Sequence, residues 1–282
     1  MRVVFIASLM TTLLVAQEAP KRPWTNVSTF SLVATSGNAK GQTLGFANDF
    51  AYKWDLTTLT VKASAVRANS TVTNRTAVGT TLNNAVVSEQ DVTTTTAEMY
   101  SLNGRVDHRF KSYDRLYTFG EAGWVRNRPA GLDSKTGVLG GVGYIWADSP
   151  TTKFRTDLGF GVTHEVPMVE PPGFKATYGT WTLGAQLKQA LGATSAYTMD
   201  LALTDSFSNS KDWQGFIKQG VTATLSSRLA LKVGLDLFYR NIPNLIAVNA
   251  YTPAIPPVLL GQVSIPAKKL DSVFTTSLVV TF

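Results

Sequence analysis

Apolar and polar side chains alternate along most of this chain with a period of two, the spacing that sends successive residues to opposite faces of a β-strand. In "GQTLGFANDFAYKW", Leu44, Phe46, Phe50, Tyr52 and Trp54 share one face, and only Asn48 interrupts it; Thr43, Gly45, Ala47, Asp49 and Lys53 share the other. "KFRTDLGFGVTHE" sets Phe154, Leu158, Phe160 and Val162 against Lys153, Arg155, Asp157, Gly159, Gly161 and Glu165. "LALKVGLDLFYRN" sets Leu229, Leu231, Val233, Leu235, Leu237 and Tyr239 against Lys232, Asp236 and Arg240. About twelve such segments can be counted, near residues 24–36, 41–54, 57–68, 94–110, 115–126, 135–147, 153–165, 176–190, 196–206, 212–225, 229–241 and 268–282; the register of the fifth and tenth is ambiguous. Most are longer than the ~5–6 residues usual for soluble strands and reach the ~9–11 of tilted membrane-spanning strands.

The connections alternate in length. Those after even-numbered segments are turn-like, as in "DSPTT" and "LGATS", whereas odd-numbered ones include "NRPAGLDS", "VPMVEPPGFK" and the long stretches Asn69 to Thr93 and Ile242 to Ala267. Short turns on one rim and long loops on the other are the pattern of outer-membrane barrels, with the short turns periplasmic. Closure has a physical cause, because hydrocarbon offers no water to the N–H and C=O groups of an open edge. The alternation predicts an all-β fold, a transmembrane antiparallel up-and-down β-barrel of about 12 strands, with both termini periplasmic. Period alone leaves open an inverted, soluble barrel or sandwich. Aromatic placement decides for the membrane: Trp54, Phe110, Trp146 and Phe282 fall near one predicted rim, and Trp24, Phe30 and Trp124 also fall toward strand ends.

Composition refines this picture. Residues 1–19 have one positive charge, an apolar stretch and small residues behind it, and read as a secretory signal peptide, leaving 20–282 as the outer-membrane barrel. The chain contains no cysteine, so neither disulfide nor thiolate chemistry is available. A net charge of +7 is carried by residues spread singly, without the clusters a nucleic-acid surface needs, so nucleic acid is not an expected partner.

The stretch "WTNVSTFSLVATSGNAKGQTLGFANDF", with Trp24, the Ser36-Gly37-Asn38 turn and the alternating strand after it, resembles the uncharacterised bacterial family called domain of unknown function 481. Its members are termed YdiY-like or putative salt-induced outer membrane proteins. A second matching stretch is "GVLGGVGYIWADSPTTKFRTDLGFGVTHE", with its Gly141-Val142-Gly143-Tyr144 step and a glycine-rich strand ending at His164-Glu165. The chain departs from the family pattern in the Thr/Asn-rich segment Asn69 to Thr93 and at Lys135, where an arginine is expected. The resemblance implies an outer-membrane barrel and no settled activity.

Candidate chemistry is sparse. His108 and His164 both fall on the apolar face, and adjacent His164 and Glu165 point to opposite sides, so neither histidine builds a catalytic pair. No cofactor or metal spacing is present. The glycines of "GVLGGVG" lack the Gly-Lys-Ser/Thr ending of a phosphate loop; Gly137, Gly141, Gly143, Gly159 and Gly161 are expected to face inward, permitting curvature or making room for bulky neighbours. Lumen-lining candidates are Lys62, Arg105, Arg109, Lys153, Arg155, Asp157, Lys188, Lys232, Asp236, Arg240 and Lys269, with Asp49, Asp107, Glu165 and Asp271 beside them, a basic excess. Two interiors fit this set: a narrow water-filled pore for small polar or anionic solutes, or a salt-bridged plug in a non-conducting structural or stress-related barrel. An outer-membrane hydrolase is a third class without a recognisable catalytic set. The apolar connection "IPNLIAVNAYTPAIPPVLLGQVSIPAK" is expected to fold into the mouth and constrict it, or to pack on another loop or a partner. Finally, "FTTSLVVTF" puts Phe274, Leu278, Val280 and Phe282 on the lipid face, where the last three resemble the C-terminal signal read by the outer-membrane barrel assembly machinery. The expected partners are that machinery, outer-membrane lipid and lipopolysaccharide and, for a pore, a small solute.

Overall fold

A computed structural model describes residues 23–35, 40–78, 86–253 and 258–281. The predicted signal peptide and Phe282 lie outside the described residues. Twelve antiparallel strands close into a barrel: β1 (Trp24–Thr35), β2 (Lys40–Lys53), β3 (Thr57–Val78), β4 (Val86–Phe110), β5 (Tyr113–Asn127), β6 (Leu132–Asp148), β7 (Thr152–Pro167), β8 (Thr177–Ala190), β9 (Ser195–Ser206), β10 (Asn209–Thr224), β11 (Leu229–Arg240) and β14 (Leu270–Thr281). Each pairs with its sequence neighbours, and β14 stands between β11 and β1 to complete the ring. β12 (Leu245–Tyr251) and β13 (Leu259–Pro266) form a separate hairpin inside the β11–β14 connection. The architecture is an all-β, up-and-down transmembrane barrel.

The connection Asn69 to Thr93, expected as a loop, is instead largely a ladder: β3 runs on to Val78 and β4 starts at Val86, past a bulge between Ala68 and Asn69. Its β-branched residues favour extended backbone, but apolar and polar residues do not alternate along it, so nothing in the pattern announces a strand.

Large apolar side chains stand exposed on the outer face, among them Leu44, Phe46, Leu102, Val106, Val138, Val142, Phe160 and Val162. Such a continuous surface is suited to hydrocarbon rather than water. Aromatic side chains bound it. On the short-turn rim Tyr52 contacts Trp54 and Tyr144 contacts Trp146, with ring centroids 4.6 and 4.8 Å apart; toward the long-loop rim Trp213 stacks on Tyr239 at 4.7 Å. Trp124 pairs near the long-loop end with Thr136, ten residues along β6 from Trp146. At ~3.3 Å per residue and a tilt of ~40° that spacing is roughly 25 Å, the height of an outer-membrane apolar band. Asn48, the polar break in that face, donates to Asn26 Oδ1 at 2.8 Å and Ser28 Oγ at 2.9 Å, so its amide is paired where water is scarce.

The inner wall of β6–β8 is lined by glycines because neighbouring side chains lie flat upon it. A side-chain carbon at Gly143 would fall 2.1 Å from the Tyr117 ring, one at Gly159 2.3 Å from Leu139, and one at Gly184 2.3 Å from an Asp157 carboxylate oxygen. Tyr117, Phe119 and Ile145 thereby make a small apolar core inside the barrel.

Candidate functional site

The alternation that exposes apolar residues outward places most of the charged side chains inward, and there they sort into three groups. The first fills the lumen against β4–β7. Arg105 on β4 donates to Asp107 at 2.8 Å, Glu121 on β5 at 3.1 Å and Asp157 on β7 at 2.9 Å, while its guanidinium lies 3.8 Å over the Phe119 ring. Arg155 bridges the same wall, reaching Asp107 at 3.1 Å and Gln186 at 2.9 Å, and Tyr117 donates to Asp157 at 3.3 Å. Arg105 is 8% exposed and Asp157 8%, so the centre of this network is buried.

Nearer the long-loop rim, Arg240 on β11 pairs with Glu165 on β7 and grips Asp212 on β10 at 2.8 and 3.0 Å. Tyr178 also donates to Glu165 at 2.7 Å, and Lys135 on β6 donates to Gln214 on β10 at 2.7 Å. The Arg240–Glu165 and Lys135–Gln214 contacts each join strands four places apart in the ring, and so cross the lumen as a strap.

The third group is more open. Lys62 on β3 and Asp200 on β9 stand 3.8 Å apart although their strands lie on opposite sides of the ring, and Lys218 pairs with Asp236 at 3.5 Å. The Lys62 and Asp200 side chains are 45% and 35% exposed, in contrast to the Arg105 network. Lys232 faces Lys218, Asp49, Asp236 and Asp200 and has no ion pair among the described residues. The Lys62–Asp200 contact thus divides the lumen into a packed half along β4–β8 and a hydrated half along β9–β11, β14 and β1–β3.

Above the strap the mouth is roofed. The β11–β14 connection starts on one side of the ring, and its Asn244–Ile246 segment packs on Gly131, in the β5–β6 connection on the opposite side. Gly131 has φ +77°, and a side chain there would lie 2.7 Å from the Leu245 carbonyl oxygen. Its own carbonyl accepts from Met168 of the β7–β8 connection at 2.8 Å, so three loops meet at this glycine. The expectation that the apolar connection folds into the mouth or onto another loop resolves into both.

Of the sequence candidates, Lys62, Arg105, Arg155, Asp157, Lys232, Asp236 and Arg240 take the positions just described. Arg109 and Lys153 meet at Asp148 on the short-turn rim, both at 3.3 Å, and Lys188 pairs in register with Lys153. Lys269 departs from its expected place in the wall: it precedes β14, is exposed at the long-loop rim and donates to Asn241 at 3.1 Å. The expected basic excess also needs correction. Glu121, Asp148, Asp200 and Asp212 add acidic groups to the interior while Lys135 and Lys218 add fewer basic ones, which brings the lumen near balance. Leu278 and Val280 lie in β14 opposite Phe30 and Ser28. His108 and His164 sit on the outer face, bonded to Thr57 and Thr177 at 2.9 Å each. Among the described residues no group of three or more His, Asp or Glu side chains is arranged to hold a metal ion.

Residues 28–245 match the family described as "Protein of unknown function, DUF481". The chain belongs to the DUF481 family. A curated relative, the "Uncharacterized protein YdiY" of Escherichia coli (strain K12), is 31% identical over 142 residues, 50% of this chain and 48% of that protein. This chain therefore matches about half the length of that relative. Among solved structures, this DUF481 chain is similar to the NanC porin (9% identity, TM-score 0.46, covering 91% of this chain and 98% of that one). It is also similar to the translocator domain of the autotransporter NalP from Neisseria meningitidis (12%, 0.42, 94% and 90%) and to an anion-selective porin from Comamonas acidovorans (12%, 0.37, 92% and 98%).

Proposed function

We propose that this DUF481 barrel resides in the outer membrane as a narrow passive conduit for small polar or anionic solutes. The short turns and both chain ends face the periplasm in this reading, and the barrel assembly machinery inserts the chain through its last strand. The observation that carries the reading is the segregation of lumen charge: one half is packed by the Arg105 network, while the other is lined by partly exposed lysines and aspartates. Charges spent on ion pairs select little. Selectivity falls to the groups without one, Lys135, Lys188 and Lys232 against Asp49 and Asp271 among the described residues, which favours anions weakly. Planar-bilayer recording of the purified protein tests this: small single-channel steps are expected, and their absence at every voltage would exclude a pore.

The dense Arg105 network also supports a non-conducting envelope barrel whose lumen is structural. The same recording separates the two. A folded barrel, shown by a gel-mobility change on heating, that never conducts is the result this second reading requires.

A further inference from the structure

The ring is closed unevenly. Among the described residues β11 pairs with β14 along eleven positions, from Leu229↔Val280 to Tyr239↔Leu270, but β14 pairs with β1 along only four, Val27↔Thr281 to Phe30↔Leu278. Beyond Phe30, Ser31 and Leu32 remain in the β1 ladder with β2, and Ser277 and Thr276 in the β14 ladder with β11, yet among the described residues they have no pairing with each other. Unpaired backbone is tolerated at membrane depth where it lines a path. The outward side chains flanking this gap, Leu32 at 66% and Phe274 at 70%, are more exposed than Leu44 at 50% or Phe46 at 42% in the fully paired wall beside them.

We infer that the upper β1–β14 seam is a lateral exit, by which a single-chain amphiphile with an anionic head passes between the hydrated half of the lumen and the membrane. Three placements fit that chemistry. Lys232, which has no ion pair among the described residues, pairs in register with Ser277 and so stands at the foot of the gap. Higher on the same inner wall, Phe216 and Phe238 touch with ring centroids 5.1 Å apart, and Val273 lies beside Asp236, which gives a chain-sized apolar surface on that wall. Directly upward the way is obstructed by the Glu165–Arg240–Asp212 strap and the hairpin anchored at Gly131. A head held at Lys232 with its tail along the phenylalanines then has its open side toward the seam.

The inference rests on the conduit reading for entry from the short-turn rim, and its tests read the seam separately. Because the chain has no cysteine, paired substitutions report proximity cleanly. Thr29→Cys with Val279→Cys should oxidise readily, whereas Ser31→Cys with Ser277→Cys should oxidise roughly tenfold more slowly, since side chains on strand segments that are not paired seldom meet disulfide geometry. Equal rates would show a seam closed along its length and overturn the inference. A bimane on Thr275→Cys, in vesicles, should be quenched by doxyl-stearate severalfold more than one on Thr182→Cys across the lumen, and Lys232→Met should reduce that difference. Equal quenching at the two positions would remove the amphiphile route even if the barrel conducts ions; absent conductance with preferential quenching would leave the seam and remove the conduit.

Discussion

Arg105 is the residue on which most interior structure converges. Three carboxylates, Asp107, Glu121 and Asp157, reach it within 3.1 Å, and its own side chain is 9% exposed. Replacing it by methionine keeps its volume and leaves three acids facing one another, so Arg105→Met is expected to destabilise the barrel by about 3–5 kcal/mol, the cost of breaking a buried ion pair. Urea unfolding followed by tryptophan fluorescence measures this, and a loss under ~1 kcal/mol would mean that water already solvates the cluster. Gly143→Ala probes the same wall from the opposite direction. The added carbon would lie 2.1 Å from Tyr117, which is only 1% exposed and has no room to retreat. A loss of about 1–3 kcal/mol is expected, with Tyr117→Leu in the same chain restoring part of it.

Strands were readable where their two faces differ in kind. β7 and β11 place aliphatic or aromatic residues outward and charges or glycines inward, so the inward positions of Asp157 and Lys232 followed from alternation alone. β5 and β10 have large apolar residues on both faces: Tyr117 and Phe119 point in beside Glu121 while Trp124 points out, and Phe216 points in beside Lys218 while Trp213 points out. Period two is still present there, but contrast is lost, and the pattern assigns neither Glu121 nor Lys218 to a face. Asp200 is likewise absent from the sequence candidates, although "YTMDLAL" carries the signal, since Tyr197, Met199, Leu201 and Leu203 mark the outer face. What no pattern encodes is contact between strands far apart in the ring, since Lys62–Asp200 and Arg240–Glu165 depend on the shape of the closed barrel. At this scale the roof makes its own prediction. Replacing residues 245–266 by a short Gly/Ser linker should raise single-channel conductance at least roughly twofold, because the hairpin narrows the mouth; an unchanged conductance would place the limiting constriction at the Lys62–Asp200 level instead. Phe282 belongs to the same scale. Its deletion should lower assembled barrel in the membrane fraction while refolding in detergent remains intact, if its value lies in being read by assembly machinery.

For the whole molecule, the near balance of inward charge matters more than the net +7 of the sequence. A salt gradient across a bilayer should give a reversal potential slightly toward the anion. Lys232→Glu should reverse its sign, whereas Lys153→Glu, at the solvated short-turn rim beside Asp148, should shift it less. A strongly anion-selective potential in the unaltered protein would mean that the paired lysines and arginines contribute after all.

The short ladder between β1 and β14, four positions among the described residues, bears also on the order in which the molecule is made. These strands come from opposite ends of the chain, so joining them closes the largest loop in the fold, and the fewest hydrogen bonds repay that entropy. Every other ladder in the ring joins neighbours or spans the single β11–β14 connection, and can form before the ring exists. The expected history is an eleven-to-twelve-strand curved sheet, complete in its inner packing, whose two edges meet last and part first. In time-resolved refolding, the disulfide between Thr29→Cys and Val279→Cys should therefore appear after burial of Tyr117, and on warming it should be the bond that keeps an otherwise unzipping barrel whole.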